Sequence, residues 1–214
     1  MRVKILFVCH GNICRSPMAA MVFRYLAQQR HVSGEFEVDS AALSSEEIGN
    51  GIYPPARRIL VKHGVPCTEH RARQITPEDF ETADLIIGME WGHLKKLRAL
   101  CPKEQQAKLH LLLDFAERQG DIEDPWYTDD FDRAYRDILR GCEGLLRNLT
   151  ENKTAYQKDV KERNHPDILF DFSDYSSVFG ASSGALSVSS QRRTVRCAKL
   201  TKSSMNERSR LSLV

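Results

Sequence analysis

One short segment near the amino terminus brings a thiol and a guanidinium group close together. Cys9 and Arg15 are separated by five residues that include a Gly-Asn pair. A thiolate is a strong nucleophile, and a guanidinium group donates two parallel hydrogen bonds to a phosphate. The pair therefore predicts attack on a clamped phosphoryl group, with Cys9 as the nucleophile and Arg15 as the clamp.

The elements predicted on either side of this segment favour the same chemistry. The apolar run Val3–Val8 is typical of a buried strand, and Ser16–Gln29 has the periodicity of an amphipathic helix. The start of a helix binds anions and lowers the pKa of a nearby thiol. Gly and Asn let the connecting loop curve tightly. We therefore expect six further residues to form the phosphate site: His10, Gly11, Asn12, Ile13, Cys14 and Ser16.

A second pair with the same spacing, Cys67 and Arg73, lacks this context. No apolar strand precedes it, its loop contains no glycine, and Glu69 would repel a phosphate. Spacing alone is a weak signal in a chain with six cysteines. We interpret Cys67 as a structural residue.

The proton that a leaving oxygen needs can come from a carboxylic acid. Asp124 is the best candidate, because Pro125 restricts it to extended backbone. The next two residues, Trp126 and Tyr127, can wall a pocket for a flat substrate ring. Without the cysteine loop, the sequence Asp-Pro-Trp-Tyr would favour a structural turn with aromatic packing. With that loop, we predict that Asp124 is the general acid.

Strands and helices alternate along the first 150 residues. After the first strand and helix, further strands are predicted over Phe36–Ser40, Leu85–Met89 and Leu109–Leu113. Further helices are predicted over Pro55–His63, Thr76–Phe80, Trp91–Leu100 and Phe131–Leu149. This alternation predicts an α/β fold in which helices flank a parallel sheet.

The remaining residues, 151–214, break this rhythm. Ser173–Ser190 is rich in serine, and the sequence after it is basic and polar. Such a composition favours a flexible tail. We therefore predict one folded domain over residues 1–150, followed by a tail over residues 151–214.

Composition excludes several classes of function. The net charge of +2 is too small to predict nucleic acid or a membrane as a partner. No apolar run is long enough for a membrane span, and the amino terminus lacks the cleavage site of a signal peptide. We therefore expect a cytoplasmic protein with reduced thiols. The chain has no Cys-x-x-Cys pair and its histidines are scattered, so no metal or other cofactor is expected.

These motifs, taken in this order, resemble the low-molecular-weight protein tyrosine phosphatases. The resemblance rests on the sequence CHGNICRSP at Cys9–Pro17 and on the Asp-Pro-aromatic-aromatic sequence about 115 residues later. It covers roughly residues 3–149. Four intermediate segments agree with it: Asp39–Ala42, Glu47–Asn50, His70–Arg73 and Gly88–Glu90.

The resemblance implies a four-stranded parallel sheet and the metal-free hydrolysis of phosphotyrosine in proteins through a phospho-cysteine intermediate. By motif position, Cys9 would be the nucleophile, Arg15 the clamp, and Asp124 the acid and then the base. Ser16 would stabilise the thiolate, and Asn12 would support the loop. The expected partner is a tyrosine-phosphorylated protein, and the oligomeric state stays open.

Two further positions bear on regulation and substrate choice. Cys14 matches the family's second loop cysteine, which implies a reversible disulfide with Cys9 that would protect the nucleophile from irreversible oxidation. A small packed thiol is an equally good interpretation of Cys14. Glu46 stands where family members commonly carry an aromatic rim residue, and an acid there would disfavour acidic phosphopeptides.

Three other functions are compatible with parts of this pattern. Protein arginine phosphatases typically have threonine where this chain has Ile13, whose branched side chain favours a planar phenyl ring. A protein that binds phosphate without turnover would not need every catalytic residue. Arsenate reductases need a close pair of further cysteines, and the four that remain here form none: Cys67, Cys101, Cys142 and Cys197.

Overall fold

The computed structural model describes residues 2–117 and 119–151, so the predicted tail lies outside the described residues, apart from Glu151. The four strands are β1 Val3–Cys9, β2 Phe36–Ala42, β3 Leu85–Gly88 and β4 Leu109–Leu111. The six α-helices are α1 Arg15–Gln29, α2 Pro54–Lys62, α3 Pro77–Thr82, α4 Trp91–Leu100, α5 Pro125–Thr128 and α6 Phe131–Glu151. Short 3-10 helices cover Ser33–Glu35, Lys103–Lys108 and Leu112–Phe115.

The four strands form one parallel sheet in the order β2-β1-β3-β4. The predicted α/β fold with a four-stranded parallel sheet is confirmed. The chain leaves β1 to one side for β2 and then returns to its other side for β3. Ligands of open α/β sheets bind outside the carboxyl ends of the strands where the order reverses in this way. Here that place is between the ends of β1 and β3, next to Cys9 and Gly88.

Both faces of β1 are covered, which explains why its sequence is a continuous apolar run. Ile5 and Phe7 point to the core that contains buried residues of α1 and α6. Leu6 and Val8 point to a second core that contains buried residues of α3 and α4. The strand is therefore fixed on both sides, and its last residue, Cys9, is held at a defined position.

Several observed boundaries differ from the predicted ones by one or two residues, and one of these differences has a physical reason. β4 ends at Leu111, whereas the apolar run had predicted a strand to Leu113. The chain turns there into a 3-10 helix in which Leu112 and Leu113 are buried. A short apolar run indicates burial but does not distinguish a strand from a buried turn.

A glycine in α6 marks a close approach between this helix and the preceding 3-10 helix. A Cβ atom on Gly144 would lie 1.9 Å from the carbonyl oxygen of Phe115. Although alanine is the better helix former, we expect Gly144→Ala to lower the free energy of unfolding by roughly 2–3 kcal/mol, because backbone must move. Urea unfolding monitored by circular dichroism would measure the change.

Gly34→Ala is the matched control, since a Cβ there meets no atom within 4 Å. We expect this variant to unfold at nearly the same urea concentration as the natural protein. Equal stability of the two variants would show that α6 shifts away from Phe115 at little cost.

Candidate active site

A cleft of about 180 Å³ opens at the carboxyl edge of the sheet. Nine of the eleven predicted site residues line it, and the other two, Asn12 and Ser16, are fully buried. The lining residues are Cys9, His10, Gly11, Ile13, Cys14, Arg15, Glu46, Glu47, Asp124, Trp126 and Tyr127. The structure therefore brings the cysteine loop and the Asp-Pro-Trp-Tyr segment to one place, although more than a hundred residues separate them in the sequence.

The sulfur of Cys9 is held by polar partners. Its Sγ atom lies 3.0 Å from the hydroxyl oxygen of Ser16 and accepts a hydrogen bond of 3.3 Å from the backbone N–H of Asn12. The side chain is 3% exposed and stands at the end of β1. These contacts fix the position of the sulfur atom at the start of the loop.

Asn12 stabilises the loop through hydrogen bonds of its side chain and its backbone. Its φ of 57° lies in the left-handed region that asparagine tolerates. Its amide nitrogen donates to Ser16 Oγ at 2.9 Å, and its amide oxygen accepts from the backbone N–H of Arg73 at 3.2 Å. The ring nitrogen Nε2 of His70 lies 2.7 Å from its carbonyl oxygen. The sequence did not single out His70 as a site residue.

Gly11 lies close to the side chain of Glu47. A Cβ atom there would lie 3.0 Å from Cγ of Glu47. The loop then leads into α1, whose N-cap residue, Cys14, makes no side-chain capping bond. The N–H groups of Arg15 and Ser16 have no earlier carbonyl within the helix to bond. They are therefore suited to bind an anion in the cleft.

Arg15 is buried, with 2% of its surface exposed, and its guanidinium group is held on three sides. Nη1 donates to Glu90 Oε2 at 2.5 Å and to the carbonyl oxygen of Ile122 at 3.0 Å. Nη2 donates to Asp124 Oδ2 at 2.5 Å. A phosphate that enters the cleft can replace Asp124 at Nη2, while Glu90 and Ile122 keep the guanidinium group in place.

Glu90 and Ile122 were not predicted as site residues. For Glu90 a signal existed, because it follows the end of β3 as the cysteine loop follows the end of β1. Ile122 contributes its backbone carbonyl oxygen. Every residue has this group, so the sequence gives no signal for it.

The backbone of Asp124 has the conformation that its sequence predicts. It is extended, with φ −76° and ψ 111°, as expected before a proline. Asp124 also caps α5, since its Oδ1 atom accepts from the backbone N–H of Trp126 at 3.1 Å. Its other carboxylate oxygen faces Arg15, so one carboxylate serves the local turn and the cleft at once.

Two titratable groups near Arg15 are held neutral. Burial, together with the neighbouring Cys9, raises the pKa of the Cys14 thiol to about 12, so Cys14 stays protonated at neutral pH. Burial and the charge of Arg15 lower the pKa of His93 to about 3, so its imidazole is neutral. Cys14 and Cys9 both line the cleft as free thiols. The disulfide between them stays a prediction.

The rim of the cleft is acidic and aromatic. His10 Nε2 lies 3.0 Å from Glu46 Oε2, and this hydrogen bond lowers the pKa of the Glu46 carboxyl. Trp126 is 55% exposed and Tyr127 is 86% exposed, so both rings are open to a ligand.

Within residues 2–117 and 119–151, no group of three or more His, Cys, Asp or Glu side chains could hold a metal ion.

Comparison with known proteins agrees with this geometry. The family of "Low molecular weight phosphotyrosine protein phosphatase" matches residues 4–155. The low molecular weight protein-tyrosine-phosphatase YfkJ of Bacillus subtilis is 35% identical over 71% of this chain and 98% of its own length. The human low molecular weight phosphotyrosine protein phosphatase is 43% identical over 66% of this chain and 92% of its own length. The chain belongs to the low molecular weight phosphotyrosine protein phosphatase family and is a hydrolase.

Solved structures support the same assignment. The crystal structure of YfkJ from Bacillus subtilis has a TM-score of 0.69 and covers 72% of this chain and 98% of its own. The crystal structure of the Drosophila arginine phosphatase DARP is 33% identical with a TM-score of 0.63, covering 68% of this chain and 97% of its own. In the part of the chain that the structure describes, no helix is long and apolar enough to cross a membrane.

Proposed function

We propose that the protein hydrolyses phosphotyrosine in proteins through a phospho-cysteine intermediate on Cys9. The observation that carries this proposal is the convergence of three groups in one cleft. Cys9 is positioned as a nucleophile, Arg15 as an anion clamp, and the Asp124 carboxylate lies 2.5 Å from that clamp. Cys14, the other cysteine that lines this cleft, has a pKa raised to about 12 and stays protonated at neutral pH, so Cys9 is the better candidate for the nucleophile.

In the first step, the Cys9 thiolate attacks phosphorus, so that the S–P bond forms while the P–O bond to tyrosine breaks. Arg15 and the N–H groups at the start of α1 bind the non-bridging oxygens, on which negative charge is held. Asp124, in its protonated form, donates its proton to the leaving phenol oxygen.

In the second step, the Asp124 carboxylate accepts a proton from water, and the water oxygen attacks phosphorus. The S–P bond breaks, and inorganic phosphate and the thiolate are released. The hydrogen bonds of Ser16 and of the Asn12 N–H to Cys9 Sγ make the thiolate a better leaving group.

Phosphoarginine is the second candidate substrate. One similar structure is that of an arginine phosphatase, and the carboxylates Glu46 and Glu47 at the cleft would complement a guanidinium group. Ile13 in the loop and the ring of Trp126 favour the flat apolar ring of tyrosine. We therefore propose phosphotyrosine as the preferred substrate.

The decisive experiment compares two peptides of one sequence, one carrying phosphotyrosine and the other phosphoarginine. Phosphate release is measured with purified protein, under reducing conditions and with EDTA present. We expect faster release from phosphotyrosine and no effect of EDTA. A higher kcat/KM on phosphoarginine would make the arginine substrate the better assignment, and loss of activity in EDTA would contradict metal-free catalysis.

The acidic rim makes a prediction about peptide charge. Glu46 is exposed and ionised at the cleft, so a phosphotyrosine peptide with flanking lysines should be a better substrate than one with flanking glutamates. We expect Glu46→Gln to reduce this preference in kcat/KM by roughly threefold. Activity on p-nitrophenyl phosphate, which has no flanking residues, should stay unchanged.

Glu143→Gln provides the control, because this exposed carboxylate of α6 does not line the cleft. It removes the same charge and should leave the preference between the two peptides as it is. If both variants reduce the preference equally, net charge rather than the rim sets it.

We also propose a reducing, cytoplasmic location for this activity. All five cysteines among the described residues are free thiols, and an oxidised Cys9 cannot attack phosphorus. Activity that falls on treatment with hydrogen peroxide and returns with dithiothreitol would support this requirement. Activity that is insensitive to oxidation would remove the argument for a reducing compartment.

A further inference from the structure

Tyr53 connects two parts of the active site that are distant in the sequence. Its backbone N–H donates a hydrogen bond of 2.8 Å to the carbonyl oxygen of Ile13, in the loop that lines the cleft. Its ring centroid lies 5.1 Å from that of Trp126 and 5.9 Å from that of Phe131. One residue therefore contacts both the loop of the nucleophile and the segment that carries Asp124.

The backbone of Tyr53 is itself well fixed. Tyr53 is the N-cap of α2, with φ −59° and ψ 132°, and Pro54 and Pro55 follow it. A proline restricts its own φ and keeps the preceding residue extended. The carbonyl oxygen of Tyr53 also accepts the N–H of Arg57 at 3.0 Å. The ring is thus presented from a backbone that is bound at both ends.

The segment around Asp124 depends on outside contacts for its position. α5 contains only four residues, too few to form a stable helix alone. On the amino-terminal side, Ile122 is buried and its N–H donates to the carbonyl oxygen of Met89 at 2.8 Å. On the other side, Trp126 is hydrogen-bonded to Asp124 and contacts Tyr53. Trp126 is 55% exposed and so has few packing contacts. Removal of the Tyr53 ring would take away part of them.

We propose that Tyr53 is a positioning residue for the proton transfer. Its ring, tied to the phosphate loop, holds Trp126 and thereby keeps Asp124 at a fixed distance from Cys9. This role rests on the proposed function of Asp124 as the general acid. Tyr53 does not line the cleft, so it acts through Trp126 and not by contact with the substrate. A displacement of about 1 Å can lower a rate about 100-fold, and here the loss falls on substrates whose leaving group needs the proton.

The test compares phenyl phosphate, a poor leaving group, with p-nitrophenyl phosphate, a good one. We expect Tyr53→Ala to lower kcat/KM about tenfold more on phenyl phosphate than on p-nitrophenyl phosphate. Tyr53→Phe keeps the ring and should stay within about twofold of the natural protein on both substrates. Tyr53→Leu, which keeps apolar volume without the ring, serves if the alanine variant does not fold. In a protein that already carries Asp124→Ala, Tyr53→Ala should not further change the ratio of kcat/KM on phenyl phosphate to kcat/KM on p-nitrophenyl phosphate.

Tyr25→Ala controls for a general loss of packing, because this partly buried tyrosine on α1 contacts the same core. It should lower the thermal midpoint without changing the ratio of the two rates. Equal losses on both substrates in Tyr53→Ala, or a selective loss in Tyr53→Phe, would overturn the proposal. If Asp124→Ala changes the ratio and Tyr53→Ala does not, Asp124 remains the acid and the positioning role fails. If neither changes it, the acid role fails and the positioning role fails with it.

Discussion

Replacing Cys9 by serine is expected to abolish turnover while leaving the phosphate site intact. Removal of the nucleophile should lower kcat on p-nitrophenyl phosphate by roughly 10⁴-fold or more. The serine hydroxyl fits the same position and still meets Ser16 and the Asn12 N–H. Because a neutral hydroxyl replaces a thiolate beside a phosphate dianion, inorganic phosphate should bind at least as tightly as before. Isothermal titration calorimetry with phosphate would measure the binding.

The matched control is Cys67→Ser. Cys67 is a free, partly buried thiol that stands in the second Cys-x5-Arg pair of the sequence. In the structure the partner of that pair, Arg73, is bound to Asp39 and Asp79 instead of facing a cleft. Cys67→Ser should therefore keep nearly full activity. Activity of Cys9→Ser within tenfold of the natural protein would show that another group attacks phosphorus.

The local structure around Cys9 and Arg15 could be predicted from sequence, because it depends on neighbouring residues only. A buried strand, a Gly-Asn turn and a helix start follow one another within Val3–Gln29, and the structure has them in that order. Even here the structure refines the reason for two residues. The left-handed backbone falls on Asn12, whereas a Cβ atom at Gly11 would crowd the side chain of Glu47.

The surroundings of the loop could not be predicted, because they depend on contacts between distant parts of the chain. Glu90 and Ile122 bind Arg15 across 75 and 107 positions of sequence, and His70 binds Asn12 across 58. Such contacts exist only once the sheet has placed the ends of β1 and β3 side by side. Asp124 could be proposed because its neighbours form a recognisable motif. Glu90 has no such neighbours, although its place after β3 was available as a signal.

Replacing Asp124 by asparagine is expected to separate proton transfer from phosphate binding. Asparagine keeps an oxygen that can accept the N–H of Trp126, so the local turn should survive. It has no proton of suitable acidity, so kcat on phenyl phosphate should fall roughly 10²- to 10³-fold. On p-nitrophenyl phosphate, whose leaving group needs little help, the fall should stay within about tenfold. Steady-state kinetics on the two substrates would measure both effects.

The same change should strengthen phosphate binding, and this distinguishes the acid from a residue that merely supports the site. The Asp124 carboxylate accepts a hydrogen bond from Nη2 of Arg15, so an entering phosphate must displace it. A neutral amide competes less for that guanidinium group and adds no charge repulsion, so the inhibition constant of inorganic phosphate should decrease. Asp129→Asn, an exposed change outside the cleft in the turn that ends α5, should alter neither quantity. Equal losses on both substrates would remove Asp124 from the acid role. Weaker phosphate binding would show that its carboxylate orients Arg15 for the ligand instead of competing with it.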